Sequence, residues 1–168
     1  QFGSIYASAT LLSSFLLVWV GKKIDDFNIL KFASYVIALL AISCFLFSKI
    51  TSVMFLFFSI FLMRLSGQGL MSHTATTTIS RFFEKTRGRA LSTIWLGLSL
   101  AEFILPLFII FLLTFVDWRN IWIAISILVI IILPIITFVL VKNIKLDSRE
   151  AKNNLDIKTK DIRQWSRT

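Results

Sequence analysis

Five long apolar segments constrain the possible fold of this chain more than any other feature. They cover approximately residues 5–20, 32–48, 52–80, 90–115 and 120–141. A helix needs about 20 residues to cross a hydrocarbon core of about 30 Å, so segments of this length favour transmembrane helices. Strict alternation of apolar and polar residues, which the strands of a membrane barrel require, is absent. The sequence therefore predicts an all-α, polytopic transmembrane bundle of five spanning helices.

The composition agrees with a membrane protein in contact with the lipid bilayer. Hydrophobic residues make up 57% of the chain and charged residues only 16%, far from the balance of a soluble domain. We predict that residues 1–142 form the helical bundle, in the cell membrane. Residues 143–168 are polar and basic and are predicted to form a cytoplasmic linker.

The distribution of basic residues predicts the orientation of the bundle. Lysines and arginines concentrate in residues 21–31, in residues 81–89 and after residue 141, whereas the alternate connections contain only Lys49 and Arg119. The positive-inside rule places the first group in the cytoplasm. The net charge of +9 therefore reflects topology. Because the basic residues are spread over several loops rather than one face, no nucleic-acid partner is predicted.

Arg64 lies in the middle of the third apolar segment and requires a special environment. An arginine at the centre of a spanning helix costs about 2.5 to 3.5 kcal/mol, so it usually faces a cavity on a substrate or ion path. At about 100° per residue, Gln68 and Ser72 share its face. Counted from the outer end near Ser52 for Arg64 and from the inner end near Ala90 for Glu102, each lies about 18 Å deep at about 1.5 Å per residue, so both are near mid-membrane.

These four residues are the predicted substrate or ion pathway. Arg64 is expected to attract a carboxylate or to pair with Glu102, and Gln68 is expected to hydrogen-bond the solute. The predicted partner is a small molecule, with a coupling proton or counter-solute as a further possibility. For Ser72 and the other hydroxyl residues of this face, hydrogen bonding between helices is the favoured interpretation, whereas for Arg64 and Gln68 it is the cavity.

The segments also differ in polarity, which predicts how they are arranged. The first, third and fourth contain most of the polar residues and are expected to line a cavity. The second and fifth are almost entirely aliphatic or aromatic and are expected to face lipid. His73, alone on its helix face opposite Arg64, is expected to be a hydrogen-bonded packing residue.

Several short motifs resemble those of the major facilitator superfamily. Residues 21–28 resemble its Gly-x-x-x-Asp-Arg-x-Gly loop signature, in which Gly21 and Asp25 match but Asp26 and Asn28 do not. Segments similar to the fourth-helix motif, to the following loop and to the turn before helix six are found at residues 64–69, 81–90 and 117–119.

The resemblance implies that the five spans are helices two to six of a six-helix half. Helix one and the second half would then be partners from the same polypeptide. It also implies a conformational role for the loop residues Gly21, Asp25, Arg87, Gly88 and Arg89. The branch that the chain resembles is that of monocarboxylate and oxalate/formate porters, from the motifs Gly67-Gln68-Gly69, Arg81-Phe82-Phe83 and Trp165-Ser166-Arg167.

These observations together predict a secondary active transporter that moves a small solute, an organic anion such as a monocarboxylate, by alternating access. A multidrug-type exporter is one alternative, although Leu105-Pro106 lacks the glycine that precedes proline in that group. A non-transporting membrane anchor or sensor module is another. No phosphate-binding loop, cysteine pair, histidine cluster or nucleophile elbow occurs, so no enzyme activity, cofactor or metal site is predicted.

Overall fold

The computed structural model describes residues 2–22, 29–83 and 86–140, and all regular structure in these ranges is helical. Two of the predicted features, Asp25 and the linker 143–168, lie outside the described residues. The helices are α1 (Phe2–Lys22), α2 (Ile29–Ser48), α3 (Val53–Met63), a π-helical segment (Arg64–Met71), α4 (Ser72–Phe82), α5 (Arg87–Leu113) and α6 (Trp118–Leu140).

The predicted all-α class and the five spanning helices are confirmed. Within the described ranges, five helices are long and apolar enough to cross a membrane: Phe2–Lys22, Ile29–Ser48, Val53–Ser80, Arg87–Leu113 and Trp118–Leu140. The third of them runs through α3, the π-helical segment and α4 without a break, because the junction residues Met63, Arg64 and Ser72 all keep helical backbone angles. Ser52 caps its start by accepting a hydrogen bond from the Phe55 amide.

The best-packed part of the protein lies where α1 and α2 meet α3 and the π-helical segment. The buried cluster there consists of Ala9, Phe32, Val36, Ile60, Phe61, Leu65 and Leu70. Small residues let the helices approach one another: Ala9 on α1 is fully buried, and the buried hydroxyls of Ser43 and Ser66 lie 3.4 Å apart between α2 and the π-helical segment. Small residues at such contacts are typical of membrane helix packing.

The position of α2 differs from the prediction that the second span faces lipid. Nine of its residues are buried, including Phe32, Val36 and Cys44, whereas Tyr35 and Ile42 on its other side are 71% and 53% exposed. The prediction is therefore wrong for one face of α2. An apolar helix surface is satisfied equally by lipid tails and by the side chains of a neighbouring helix, so its composition does not distinguish the two.

Helices α5 and α6 pack less extensively. No residue of α5 is buried, and this helix contacts α4. Helix α6 contacts α2 at Ser126, whose hydroxyl donates a hydrogen bond of 2.8 Å to the Ala41 carbonyl oxygen. Near one end of the same interface, the rings of Phe47 and Trp122 lie 4.6 Å apart.

Candidate functional site

A cavity of about 540 Å³ lies beside the π-helical segment, and we call it the Arg64 cavity. Helices α1, α2, α3, α4 and α5 all contribute to its walls. The residues that line it are Phe2, Tyr6, Phe47, Ile60, Met63, Arg64, Gly67, Gln68, Ser72, Leu98 and Glu102.

All four residues that the sequence suggested for the pathway line this cavity. Arg64 and Gln68 belong to the π-helical segment, Ser72 is the first residue of α4, and Glu102 comes from α5. The structure thus brings together side chains that are up to 38 positions apart in the sequence. Apolar and aromatic side chains form the rest of the wall. A mostly apolar cavity with a few convergent polar groups is typical of a small-molecule site.

The guanidinium group of Arg64 is held by an aromatic ring rather than by an acidic side chain. Its central carbon lies 4.4 Å from the centre of the Tyr6 ring, a cation–π contact. Its Nε atom is buried and has no hydrogen-bond partner in the part of the chain that the structure describes. Among the described residues, Arg64 forms no ion pair with Glu102, although both line the same cavity. The cation therefore retains unsatisfied donor capacity, which an anion can fill.

A second, smaller pocket of about 270 Å³ adjoins Arg64 and Gln68 on the side of α1, and we call it the side pocket. Its other lining residues are Thr10, Ser13, Ser14, Leu17 and Gly69. The Thr10 hydroxyl donates to the Tyr6 carbonyl oxygen at 2.8 Å. The hydroxyls of Ser13 and Ser14 both donate to the Thr10 carbonyl oxygen. With their protons used in this way, the three oxygens act mainly as acceptors toward the pocket.

The π-helical segment was not predicted from the sequence. It contains two glycines at which neighbouring helices come close: an added Cβ would lie 3.3 Å from Leu40 Cδ1 at Gly67 and 3.1 Å from Leu17 Cδ1 at Gly69. Segments with this wider helical turn are frequent at functional sites. Here the turn contains Arg64 and Gln68, and the close approach of Leu17 narrows the side pocket.

The predicted loop motif is described only in part. An added Cβ on Gly21, in the last turn of α1, would lie 3.3 Å from the ring of His73, and His73 Nε2 lies 3.2 Å from the Gly21 carbonyl oxygen. His73 is thus a hydrogen-bonded packing residue, as expected. Arg87, Gly88 and Arg89 form the exposed start of α5.

Tyr6 was not among the predicted site residues. Its ring covers the Arg64 guanidinium and stacks on Phe2, with ring centres 6.4 Å apart and planes inclined by 28°. The spacing of Phe2, Tyr6 and Thr10 at intervals of four residues was the available signal, because such residues share one helix face.

Comparison with protein families identifies the chain. The family model described as the Major Facilitator Superfamily matches residues 1–167. The chain belongs to the major facilitator superfamily. Comparisons with curated proteins and with solved structures gave no match. Membership makes this an integral membrane protein and a membrane transporter of the major facilitator superfamily, with a small-molecule solute and the lipid bilayer as its partners.

Proposed function

We propose that this major facilitator protein moves a small organic anion, such as a monocarboxylate, by secondary active transport and alternating access. The observation that supports this proposal best is Arg64 on the cavity wall, with an Nε that has no hydrogen-bond partner among the described residues. A guanidinium can bind a carboxylate through two parallel hydrogen bonds, one of them from Nε. Such a bond would satisfy the buried donor and offset the charge at the same time.

The other pathway residues are assigned roles from their positions around the same cavity. Gln68 is next to Arg64 in both pockets and would hydrogen-bond the solute through its amide. Ser72 supplies a hydroxyl at the α4 side. Glu102 is the carboxyl group on the α5 side, where we propose that it binds a coupling proton or interacts with a counter-solute.

Alternating access requires one part of the site to move relative to another. Arg64 and Gln68 lie on a segment that packs against α1 and α2, whereas Glu102 lies on α5, which has no buried residue. We propose that α5 moves against the packed helices when solute or proton binds. This movement would change the distance between Glu102 and Arg64.

Substitution of Arg64 tests the function directly. In the full-length protein, Arg64→Gln is expected to lower uptake of labelled short-chain carboxylates by about tenfold or more, because a hydrogen-bonded charge contributes about 1.5 to 3 kcal/mol. Arg64→Lys is expected to restore part of the uptake, since an ammonium keeps the charge but not the paired hydrogen bonds. Uptake into proteoliposomes measures both.

Arg119→Gln is the matched control, because Arg119 contacts the Ile50 carbonyl oxygen and the Trp118 ring away from the cavity. It should transport as the unmodified protein does. Normal carboxylate uptake by Arg64→Gln would refute the proposal. Transport of cationic amphiphiles in place of carboxylates would favour the multidrug-type exporter.

The cytoplasmic location of the basic loops is part of the same proposal, supported by their charge alone. In a Cys44→Ala background, cysteines at Lys85 and Lys152 should be protected from an impermeant thiol reagent added outside cells. A cysteine at Asp117 should react. Labelling of the cysteine at position 85 from outside would show that the basic loops lie outside the cell, opposite to the proposed orientation.

We further propose that Gly21, Asp25 and the Arg87–Arg89 stretch act as a conformational latch at the cytoplasmic side. The close packing of Gly21 against His73 supports a defined contact at the end of α1. Asp25→Ala is expected to lower transport more than Asp26→Ala, because Asp25 alone matches the acidic position of the family motif. Equal losses in uptake would argue against the motif alignment.

A further inference from the structure

The wall of the Arg64 cavity combines two kinds of side chain. Arg64, Gln68 and Glu102 are polar or charged. Phe2 and Tyr6 of α1 and Phe47 of α2 are aromatic. A ligand that contacts both kinds carries an anionic group and an apolar body.

Two of the aromatic residues offer ring surface that the described part of the chain leaves open. Phe2 is 63% exposed and Tyr6 is 39% exposed, although both line the cavity. The two rings stack on each other, and Tyr6 in turn covers the Arg64 guanidinium. The cation and the two rings therefore form one continuous row along the cavity wall.

The volume of the cavity also bears on the size of the solute. At about 540 Å³ it falls within the range of about 300 to 1,000 Å³ that accommodates drug-sized ligands. An acid of two or three carbons would leave most of this space, and the aromatic wall, to water. A ring attached to the carboxylate would cover that wall.

We infer that the transported anion is an aromatic carboxylate, bound with its carboxylate on Arg64 and its ring against Tyr6 and Phe2. This inference rests on the proposed function, since it names the class of organic anion. A carboxylate bound in the plane of the guanidinium lies beside the Tyr6 ring that covers the guanidinium face. Its own ring then extends along the row toward Phe2, where offset stacking or edge contacts between rings are favourable.

Competition among three acids of equal charge tests this inference in the unmodified full-length protein. Benzoate and cyclohexanecarboxylate have similar shape and size but differ in aromaticity, and propionate lacks the ring. In proteoliposomes, benzoate is expected to inhibit labelled propionate uptake at a concentration roughly twofold to tenfold lower than cyclohexanecarboxylate, the range that aromatic contacts provide. Propionate itself should be the weakest of the three.

Variants of Tyr6 identify the surface that recognises the ring. Tyr6→Leu is expected to remove the preference for benzoate over cyclohexanecarboxylate, and Tyr6→Phe is expected to keep it. Phe15→Leu is the matched control, because Phe15 is 70% exposed on the same helix and does not line the cavity. Thermal unfolding in detergent shows whether each variant is folded. The competition experiment uses the unmodified protein, so it tests the inference even if a variant does not fold.

The outcomes separate the inference from the proposed function. Equal inhibition by benzoate and cyclohexanecarboxylate, with propionate uptake still dependent on Arg64, would overturn the aromatic assignment and leave organic-anion transport intact. Loss of the preference in Phe15→Leu as well as in Tyr6→Leu would also overturn it. Absence of any carboxylate uptake, or uptake that ignores Arg64, would overturn the proposed function itself.

Discussion

Helices α2 and α5 are both strongly apolar spanning helices, yet the rest of the described chain covers them very differently. Helix α2 has nine buried residues, and α5 has none. Both helices contribute to the Arg64 cavity, α2 through Phe47 and α5 through Leu98 and Glu102. One wall of the cavity therefore belongs to a helix with a buried face, α2, and another belongs to a helix without buried residues, α5. This difference shows that hydropathy identifies a spanning helix without deciding what covers its sides.

The largest expected effect concerns Arg64 and Glu102, the two charged residues that line the cavity. Arg64→Ala and Glu102→Ala in the full-length protein should each reduce uptake strongly, by about tenfold or more for Arg64. If the charges act as a unit between the packed helices and α5, the double variant should be no worse than the worse single variant. Uptake is measured for the unmodified protein, the two single variants and the double variant.

If Glu102→Ala transports normally while Arg64→Ala is inactive, the charge of Glu102 on α5 is not needed for transport. Arg64 alone would then remain as the anion site. Additive losses would indicate two independent roles in the same cavity.

A matched pair of glycines compares the packing of the two regions directly. A side chain at Gly69 would meet Leu17 Cδ1 at 3.1 Å, whereas nothing lies within 4 Å of a Cβ at Gly97 on α5. Gly69→Val is therefore expected to lower the free energy of unfolding by about 1 to 3 kcal/mol, the usual cost of overpacking. Gly97→Val should change it little. Thermal unfolding in detergent measures both.

Similar destabilisation by the two valine substitutions would mean that the Gly97 face of α5 is closely packed in the folded protein. Because Thr93, Gly97 and Ala101 recur every four residues, that result would assign this row of small residues to a helix contact.

The hydrogen bond from α6 to α2 is expected to contribute less. Ser126→Ala removes the 2.8 Å bond to the Ala41 carbonyl oxygen, and hydrogen bonds between membrane helices average about 0.6 kcal/mol, with a maximum of about 1.7. Ser99→Ala is the control on α5, because the Ser99 hydroxyl donates to the Trp95 carbonyl oxygen within its own helix. A loss of stability in Ser99→Ala as large as in Ser126→Ala would show that the cross-helix bond is not the cause.

The smallest effect is expected at the contact between α2 and the π-helical segment. Ser43 and Ser66 lie 3.4 Å apart, near the limit for a hydrogen bond, and each hydroxyl also bonds to its own helix at 2.7 Å. Ser43→Ala should therefore cost less stability than Ser126→Ala. The opposite order in thermal unfolding would indicate that the serine pair holds α2 in place.

The candidate site could be predicted in part because its charged residue is costly in a membrane. Arg64 required a cavity, and the helical period placed Gln68 and Ser72 on the same face, where the structure has them. Tyr6 was not assigned, because its role depends on a contact with Arg64 from another helix. Neither residue type nor spacing within α1 specifies which side chain its ring will cover.

The sequence by itself determined the all-α class and the five spans. A bilayer demands segments of fixed apolar length, and it leaves helices as the way for each segment to satisfy its own backbone. Family membership also follows from the sequence. Only the tertiary structure decided that one face of α2 is buried, that residues Arg64–Met71 form a π-helical segment and that Tyr6 covers Arg64. These features depend on contacts between helices, and lipid tails and apolar side chains are nearly equivalent surroundings for a hydrophobic surface.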